Sequence, residues 1–375
     1  KNAEKLFGKN LNISASQLEK FNLCRFSYFC NYGLNVRERQ KAEINPMQYG
    51  TIVHYILERF FGEYTKEEYL SLEEDKFQKI VCAYLAEYAV KYFGEEQLES
   101  NSFTYRLKTI LDNVMYLMKH IMEELSQSEF FVADCELKIG EDIPSYTIVL
   151  PDGHKIAVCG SVDRVDIMQR ADITYLRIID YKTGTKQFKL SDILYGINLQ
   201  MLLYLHSIEA SGGDKYGEIV PAGILYMPAT VPYISSDSLK SIDKLPDELN
   251  KKLKMNGLLL KDTEIIHGMD KTDVATYIPV KIKAGEPVSS TSLATLAEFG
   301  KIFKKVDMLI AEMGKNIYNG NIEAKPLKGG HDSCEYCPYD SVCAYRQSNP
   351  ITCFSVDNKT VIEEITNEIN GKEEE

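Results

Sequence analysis

The chain has no run of apolar residues long enough to cross a bilayer, and its opening, KNAEKLFGKN, is too polar for a signal peptide. The expectation is a cytoplasmic protein with no membrane partner. It has no G-x-x-x-x-G-K-[ST] motif, so it should not itself hydrolyse ATP. It has no excess of positive charge: 43 Lys and Arg face 55 Asp and Glu, a net charge of -12. That excludes coating of nucleic acid by bulk attraction, yet leaves room for a local basic channel beside clustered acids. No internal repeat or low-complexity tract stands out. The first residue is Lys1, not Met, which reads as a piece of something longer.

What is present is 375 residues, 44% hydrophobic and 26% charged, enough for a sizeable core in one large domain or two. Residues 14 to 22 predict a short helix. Ser14 with Gln17 forms a capping-box pattern, and Ser16 with Glu19 repeats it two residues on. Val53, Ile56, Leu57 and Phe60 keep helical spacing from Met47 to Phe61. Two longer amphipathic helices follow at 66 to 92 and 103 to 127. Then the period shortens to that of strands: Phe131 to Ile139, Tyr146 to Leu150, Lys155 to Val158, Val162 to Met168 and Thr174 to Tyr181. Pro151-Asp152-Gly153 predicts a hairpin turn. A helix is expected from Leu190 to Ser207, then a strand from Glu218 to Tyr226, in which Pro221 argues for an edge or irregular position. Residues 233 to 290 read as a polar insertion with partial helix at 239 to 256. A long helix follows from Leu293 to Tyr318, and the acidic tail, 347 to 375, reads as a frayed or helical solvated end. The order of elements gives an α/β fold class.

The most informative stretch is LRIIDYKTG. On a strand Asp180 and Lys182 share a face. The carboxylate can hold a divalent cation, and the ammonium can orient an attacking water and offset charge on a phosphate. Asp163, in GSVDRVDI, arrives from the preceding strand. By itself an Asp-x-Lys at a strand edge is ordinarily a solvated salt pair; its neighbours give it weight. His54 lies one helical turn after Gly50, whose missing side chain leaves room above the imidazole. One nitrogen with two carboxylates suits Mg2+ moderately and Mn2+ better. Glu136, on the strand before, would add a carboxylate or make a strand-face salt bridge. Gln200 and Tyr204 share a helix face, which means substrate contact or an exposed helix edge.

There are nine cysteines. Cys82, Cys135 and Cys159 sit in apolar periodic segments and read as core; Cys30 and Cys353 have no clear assignment. Cys334, Cys337 and Cys343 are spaced to converge on one centre that needs a fourth ligand, for which Cys24 is the best placed. Zinc and a 4Fe-4S cluster both accept four thiolates, and spacing does not separate them.

Taken in order, GxxxH (Gly50, His54), GxxDRxD (Gly160, Asp163, Arg164, Asp166), DYKTG (Asp180 to Gly184) and QxxxY (Gln200, Tyr204) resemble the RecB-type nucleases of the PD-(D/E)XK superfamily. The resemblance implies a restriction-endonuclease-like central mixed β-sheet flanked by helices. It implies a Mg2+ or Mn2+ ion held by His54, Asp163, Asp180 and the Tyr181 carbonyl, with Lys182 as catalytic cation and Glu136 among the catalytic acids. Gln200, Tyr204 and Arg164 would engage DNA. The superfamily's proline before the first Asp is replaced here by Val162. The distant cysteine followed by C-x-x-C-x-x-x-x-x-C looks like the iron-sulfur clasp of AddB-type nuclease domains, although Arg25 stands where the family often has Pro. That implies a 4Fe-4S cluster on Cys24, Cys334, Cys337 and Cys343. It also implies single-stranded DNA or unwound duplex ends as substrate, an AddA-type helicase-nuclease subunit as partner, and a role in resecting double-strand breaks. One nuclease domain would run from 1 to 346, with a helical insertion at about 62 to 128. A free-standing exonuclease of the CRISPR-adaptation type and a catalytically silent DNA-binding scaffold are the rival readings.

Overall fold

The computed structural model describes residues 2–37, 46–94, 100–184, 187–232, 245–289, 291–343, 345 and 350–373. Strand β1 (Asn10–Ile13) runs into helix α1 (Ala15–Leu23). The competing helix starts resolve to Ser14: its hydroxyl accepts the Gln17 N–H, and the Gln17 side chain accepts the Ser14 N–H at 2.8 Å. Helices α2 (Pro46–Glu63), α3 (Glu74–Phe93) and α4 (Asn101–Ser126) follow. The helix expected from residue 66 is split, because Lys66–Leu70 forms its own capped turn on Thr65 and α3 restarts after Glu73.

Six strands build the central sheet. β2 (Phe131–Ile139) precedes a small hairpin, β3 (Thr147–Val149) and β4 (Lys155–Val158), joined by the expected turn and paired in parallel with β1. β5 (Gly160–Arg170) and β6 (Ile173–Lys182) are antiparallel neighbours of each other, and β5 pairs with β2. After β6 the chain crosses through helix α5 (Gln200–Ser211) and returns as β7 (Glu218–Pro228), parallel to β6. This is the strand–helix–strand unit that parallel pairing requires. β8 (Asn256–Leu260) and β9 (Leu293–Ala294) extend the sheet, giving the order β9-β8-β7-β6-β5-β2. Helix α6 (Leu296–Tyr318) packs on α5, and α7 (Asn358–Glu373) packs on α6. The sheet is thus mixed and flanked by helices, as the α/β reading requires. No helix among the described residues is long and apolar enough to cross a membrane.

Several expectations are corrected. Of the helix expected from Leu190 to Ser207, the part from Gln200 is helical, as α5, whereas the first part is a 3-10 turn, Leu190–Tyr195, that stops at Gly196 in the left-handed region (φ 69°). The Asn22 side chain donates to the Gly196 carbonyl at 3.0 Å, and a Cβ on Gly196 would meet that amide at 2.3 Å. β7 lies inside the sheet rather than at its rim. Its partner β8 reaches only Gly223–Tyr226, so Pro221 faces no partner on that side, and the β6 register shifts between Leu176 and Arg177 to absorb the irregularity. Within the polar insertion, the apolar Gly257–Leu260 run forms β8, which the surrounding lysines obscured. Of the helix expected at 239 to 256, residues 245 to 253 are helical, while 239 to 244 lie outside the described residues, as does Arg346. The tail is not merely solvated: Val361 and Ile365 are fully buried, and Lys305 pairs with Glu368 at 2.5 Å.

Candidate active site

Pairing of β5 with its two neighbours assembles the acidic centre. Cys135 lies opposite Arg164 and Leu137 opposite Val162, which sets Glu136 across from Asp163. On the other side Arg164 lies opposite Ile179, so Asp163 comes beside Asp180 and Tyr181. Asp163 Oδ2 accepts the Tyr181 N–H at 2.9 Å. Glu136 holds a left-handed backbone (φ 51°), a conformation that costs a non-glycine residue about 1–3 kcal/mol and is found disproportionately at functional sites.

Helix α2 packs over β2 and brings down the imidazole. His54 Nδ1 lies 3.0 Å from Glu136 Oε1, and Nε2 lies 3.7 Å from Asp163 Oδ2. The Ser161 hydroxyl donates to the other Glu136 oxygen at 2.8 Å. His54, Glu136 and Asp163 each offer a ligand atom within 4.8 Å of the others, the only such trio among the described residues. Asp180 stands beside this trio rather than in it. It is 2% exposed, and its Oδ2 meets Lys182 Nζ at 2.5 Å, so the two share a face as strand alternation demands. Lys182 also lies 5.9 Å from the centroid of the Tyr226 ring. A Cβ on Gly50 would find only the Thr183 methyl, at 3.7 Å, so α2 is open at that position.

The electrostatics fit a cation. Burial, then the nearby Asp180, pushes the Asp163 carboxyl up to about 7, against the opposing pull of His54. Burial lowers the His54 imidazole, but the Glu136 hydrogen bond and Asp163 outweigh it and raise the group overall. Burial likewise opposes ionisation of Glu136, and the bonds from His54 and Ser161 leave it below its ordinary value. An imidazole and clustered carboxylates bordering an open cleft of about 640 Å³ form an oxygen-rich donor set that suits a hard divalent ion.

Arg164, expected at the DNA, is fully buried. Its guanidinium makes two 2.8 Å bonds to Asp166, one of 3.1 Å to Glu124 on α4, and one of 3.2 Å to the Tyr181 hydroxyl. Arg177, also fully buried, bonds the same two acids at 3.0 and 2.6 Å. Two cations and two carboxylates close a neutral network beneath the site. It locks the Tyr181 side chain from below while Asp163 holds its N–H from above. Sequence reasoning missed Glu124, Arg177 and Ser161. The available signal was a lone Arg within the apolar run of β6, which has no solvent face to occupy. Tyr204, also expected to meet DNA, is 5% exposed and packs beneath Gly160, where an added Cβ would lie 2.2 Å from the phenolic oxygen. Gln200 begins α5 and is half-buried.

Cys24 is buried where α1 gives way to a short helix, Arg25–Tyr28. Cys334, Cys337 and Cys343 are half-buried in the C-terminal loops. Burial raises the Cys24 thiol, and Cys343 adds to the shift; Cys30 is raised by burial and then by Cys337, Cys343 and Cys24. The Tyr339 hydroxyl donates to the Val36 carbonyl at 2.8 Å, tying the two ends of the chain together.

Comparison with known proteins agrees with this architecture. The profile of the PD-(D/E)XK nuclease superfamily matches residues 12–344. The B-type component of an ATP-dependent helicase/deoxyribonuclease from Thermoanaerobacter sp. (strain X514) is 34% identical over 354 residues, covering 91% of this chain and 30% of the relative. The protein of the same name from Clostridium kluyveri (strain NBRC 12016) is 35% identical over 388 residues, covering 99% of this chain and 33% of the relative. The chain therefore spans about a third of the length of these curated relatives. It belongs to the PD-(D/E)XK nuclease superfamily, whose members are metal-dependent nucleases.

Proposed function

We propose that this superfamily member hydrolyses DNA phosphodiesters as the nuclease module of a helicase-nuclease, trimming unwound ends during double-strand break resection. The observation that carries the reading is the convergence of His54, Glu136 and Asp163 within 4.8 Å, beside the Asp180–Lys182 pair. The names of the relatives support DNA as substrate and a helicase as partner, an AddA-type subunit on the AddB-type resemblance.

Mg2+ or Mn2+ would be held by His54, Asp163, Asp180 and the Tyr181 carbonyl. When bound, the ion polarises the scissile phosphate and favours ionisation of water. The protein's own groups do the rest. Glu136 would accept a hydrogen bond from His54 Nδ1–H, fixing the tautomer that leaves Nε2, on the Asp163 side, as the ligand atom. Ser161 in turn orients Glu136. The Lys182 ammonium, steadied by Asp180, orients the attacking water and offsets the negative charge that grows on the phosphate. Arg164 and Tyr204 act from beneath: the first holds the Tyr181 phenol, the second supports the turn at Gly160 into β5.

Cys24, Cys334, Cys337 and Cys343 are proposed to hold a 4Fe-4S cluster joining the two ends of the chain. The spacing of the three C-terminal cysteines and the tie between the two chain ends through Tyr339 and Val36 support this reading. Closing a loop of about three hundred residues removes much unfolded-state entropy, which makes the role structural.

The deciding experiment is degradation of end-labelled single-stranded DNA with Mn2+ or Mg2+. Wild type should digest it, while Asp180→Ala and Lys182→Met should lose at least about a hundredfold in rate with the fold intact. Undiminished digestion by both variants would overturn the assignment. A visible absorption band with matching iron and sulfide content, lost in Cys337→Ser, tests the cluster.

A further inference from the structure

The cleft at the acidic centre has an aromatic wall that the catalytic residues do not explain. Along with His54, Glu136 and Lys182 it is lined by Tyr55 on α2 and by Tyr88 and Tyr92 on α3. The three rings form a ladder leading away from the metal ligands. Tyr55 and Tyr88 have centroids 5.2 Å apart, and Tyr88 and Tyr92 lie 4.4 Å apart at 34°. Tyr88 and Tyr92 are four residues apart on α3, which is what aligns them. The inner rings are anchored: Tyr88 is 4% exposed, and the Tyr55 hydroxyl donates to Glu87 at 2.7 Å. The outer ring is not covered, since Tyr92 is 55% exposed. Lys91 Nζ sits 5.0 Å from the Tyr92 centroid and 5.9 Å from that of Tyr55.

The row of rings is thus packed at its inner end and exposed to solvent at its outer one, where a flat ring could stack. Thr183 and Gly184 line both this cleft and a second one of about 780 Å³ bearing Lys251 and Lys252, so both clefts border the turn that follows Lys182. Charge alone would not fill the aromatic end, because its acids Glu58 and Glu136 balance Lys138 and Lys182.

We infer that Tyr92, backed by Tyr88 and Tyr55, is a stacking platform for an unpaired nucleobase of the substrate strand on the α3 side of the scissile phosphate. This rests on the nuclease reading and specifies the substrate: a single strand with exposed bases, held without regard to sequence. Every base offers a π-face, so stacking gives affinity to a chain whose net charge is -12 without requiring an extensive basic surface. Duplex DNA, with its bases already stacked, could not use the platform.

The test compares binding of a labelled oligothymidylate with that of an abasic oligonucleotide of equal length, using the full chain in EDTA so that nothing is cut. Wild type should prefer the oligomer with bases. Tyr92→Ala should erase about tenfold of that preference, the equivalent of one base stack, and Tyr92→Phe should restore it. The lost increment should be the same at low and high salt, unlike a phosphate contact. Failure of wild type to prefer bases, or a loss in Tyr92→Ala equal on both oligomers, overturns the platform. Failure of the nuclease reading would appear elsewhere, as absence of metal-dependent cleavage by wild type.

Discussion

Asp163 Oδ2 accepts the backbone N–H of Tyr181 at 2.9 Å across the β5–β6 pair. One carboxylate thus clamps the residue whose carbonyl is proposed to face the ion, while Arg164 holds the same residue's phenol at 3.2 Å. Strand pairing, not loop placement, fixes the distance between the two acidic segments.

Asp163 should make stability depend on both pH and metal. Its carboxyl is raised from 3.8 to about 7 by burial and by Asp180. A raised carboxyl contributes stability that is full below 3.8 and is lost as pH climbs through about 7. Without metal, the melting temperature should fall over that rise, and Mn2+ should restore it most above pH 7, where no proton need be displaced. Asp163→Asn should remove most of the metal response. Scanning calorimetry with and without Mn2+ checks this; an unchanged metal shift in Asp163→Asn would count against Asp163 as a ligand.

Replacing Arg164 should harm the fold before it harms DNA binding. Arg164→Met leaves Glu124 and Asp166 with Arg177 as the remaining cation of the network, and should cost about 3–5 kcal/mol in urea unfolding. A surface DNA contact would show no such loss and would weaken binding instead.

Gly160 and Tyr204 should behave as one unit. Gly160→Ala drives a methyl to 2.2 Å from the Tyr204 oxygen and 2.5 Å from its ring, so it should lower stability and nuclease rate together. Tyr204→Ala in the same chain vacates that space, and the double variant should be less impaired than the sum of the singles. Strict additivity in a double-mutant cycle would rule out the steric coupling.

His206, on α5, pairs with Asp307 on α6 and should lend acid-side stability. Burial disfavours its charge, but bonds to Asp307 and then Glu209 outweigh this and push it up to about 9. The stability it adds is full below 6.5 and is lost as pH rises through about 9. His206→Gln should flatten the decline in melting temperature over that window. A decline as steep as the wild type's would place its cause elsewhere.

Much of this was readable from the residues. Strand alternation put Asp180 and Lys182 on one face, and the capping chemistry of Ser14 and Gln17 fixed the start of α1. Helical periodicity found α2 and α4. It started α5 too early, at Leu190, where a 3-10 turn ends at Gly196, whose carbonyl accepts from Asn22, 174 residues away in sequence. It also missed β8, whose apolar run is short and surrounded by lysines.

The sequence alone determined which chemistry was available: carboxylates, an imidazole and an amine on elements whose periodicity could bring them together. It did so because side-chain direction along a strand or helix is a local property of the backbone. Only the tertiary structure decided which charges face the cleft and which are sealed below it. Arg164 and Asp163 are adjacent in the chain, yet one lies at 0% exposure between two buried carboxylates, Glu124 and Asp166, and the other beside His54. That division depends on α4 delivering Glu124 and β6 delivering Arg177 to the same pocket, a long-range convergence that no local pattern encodes.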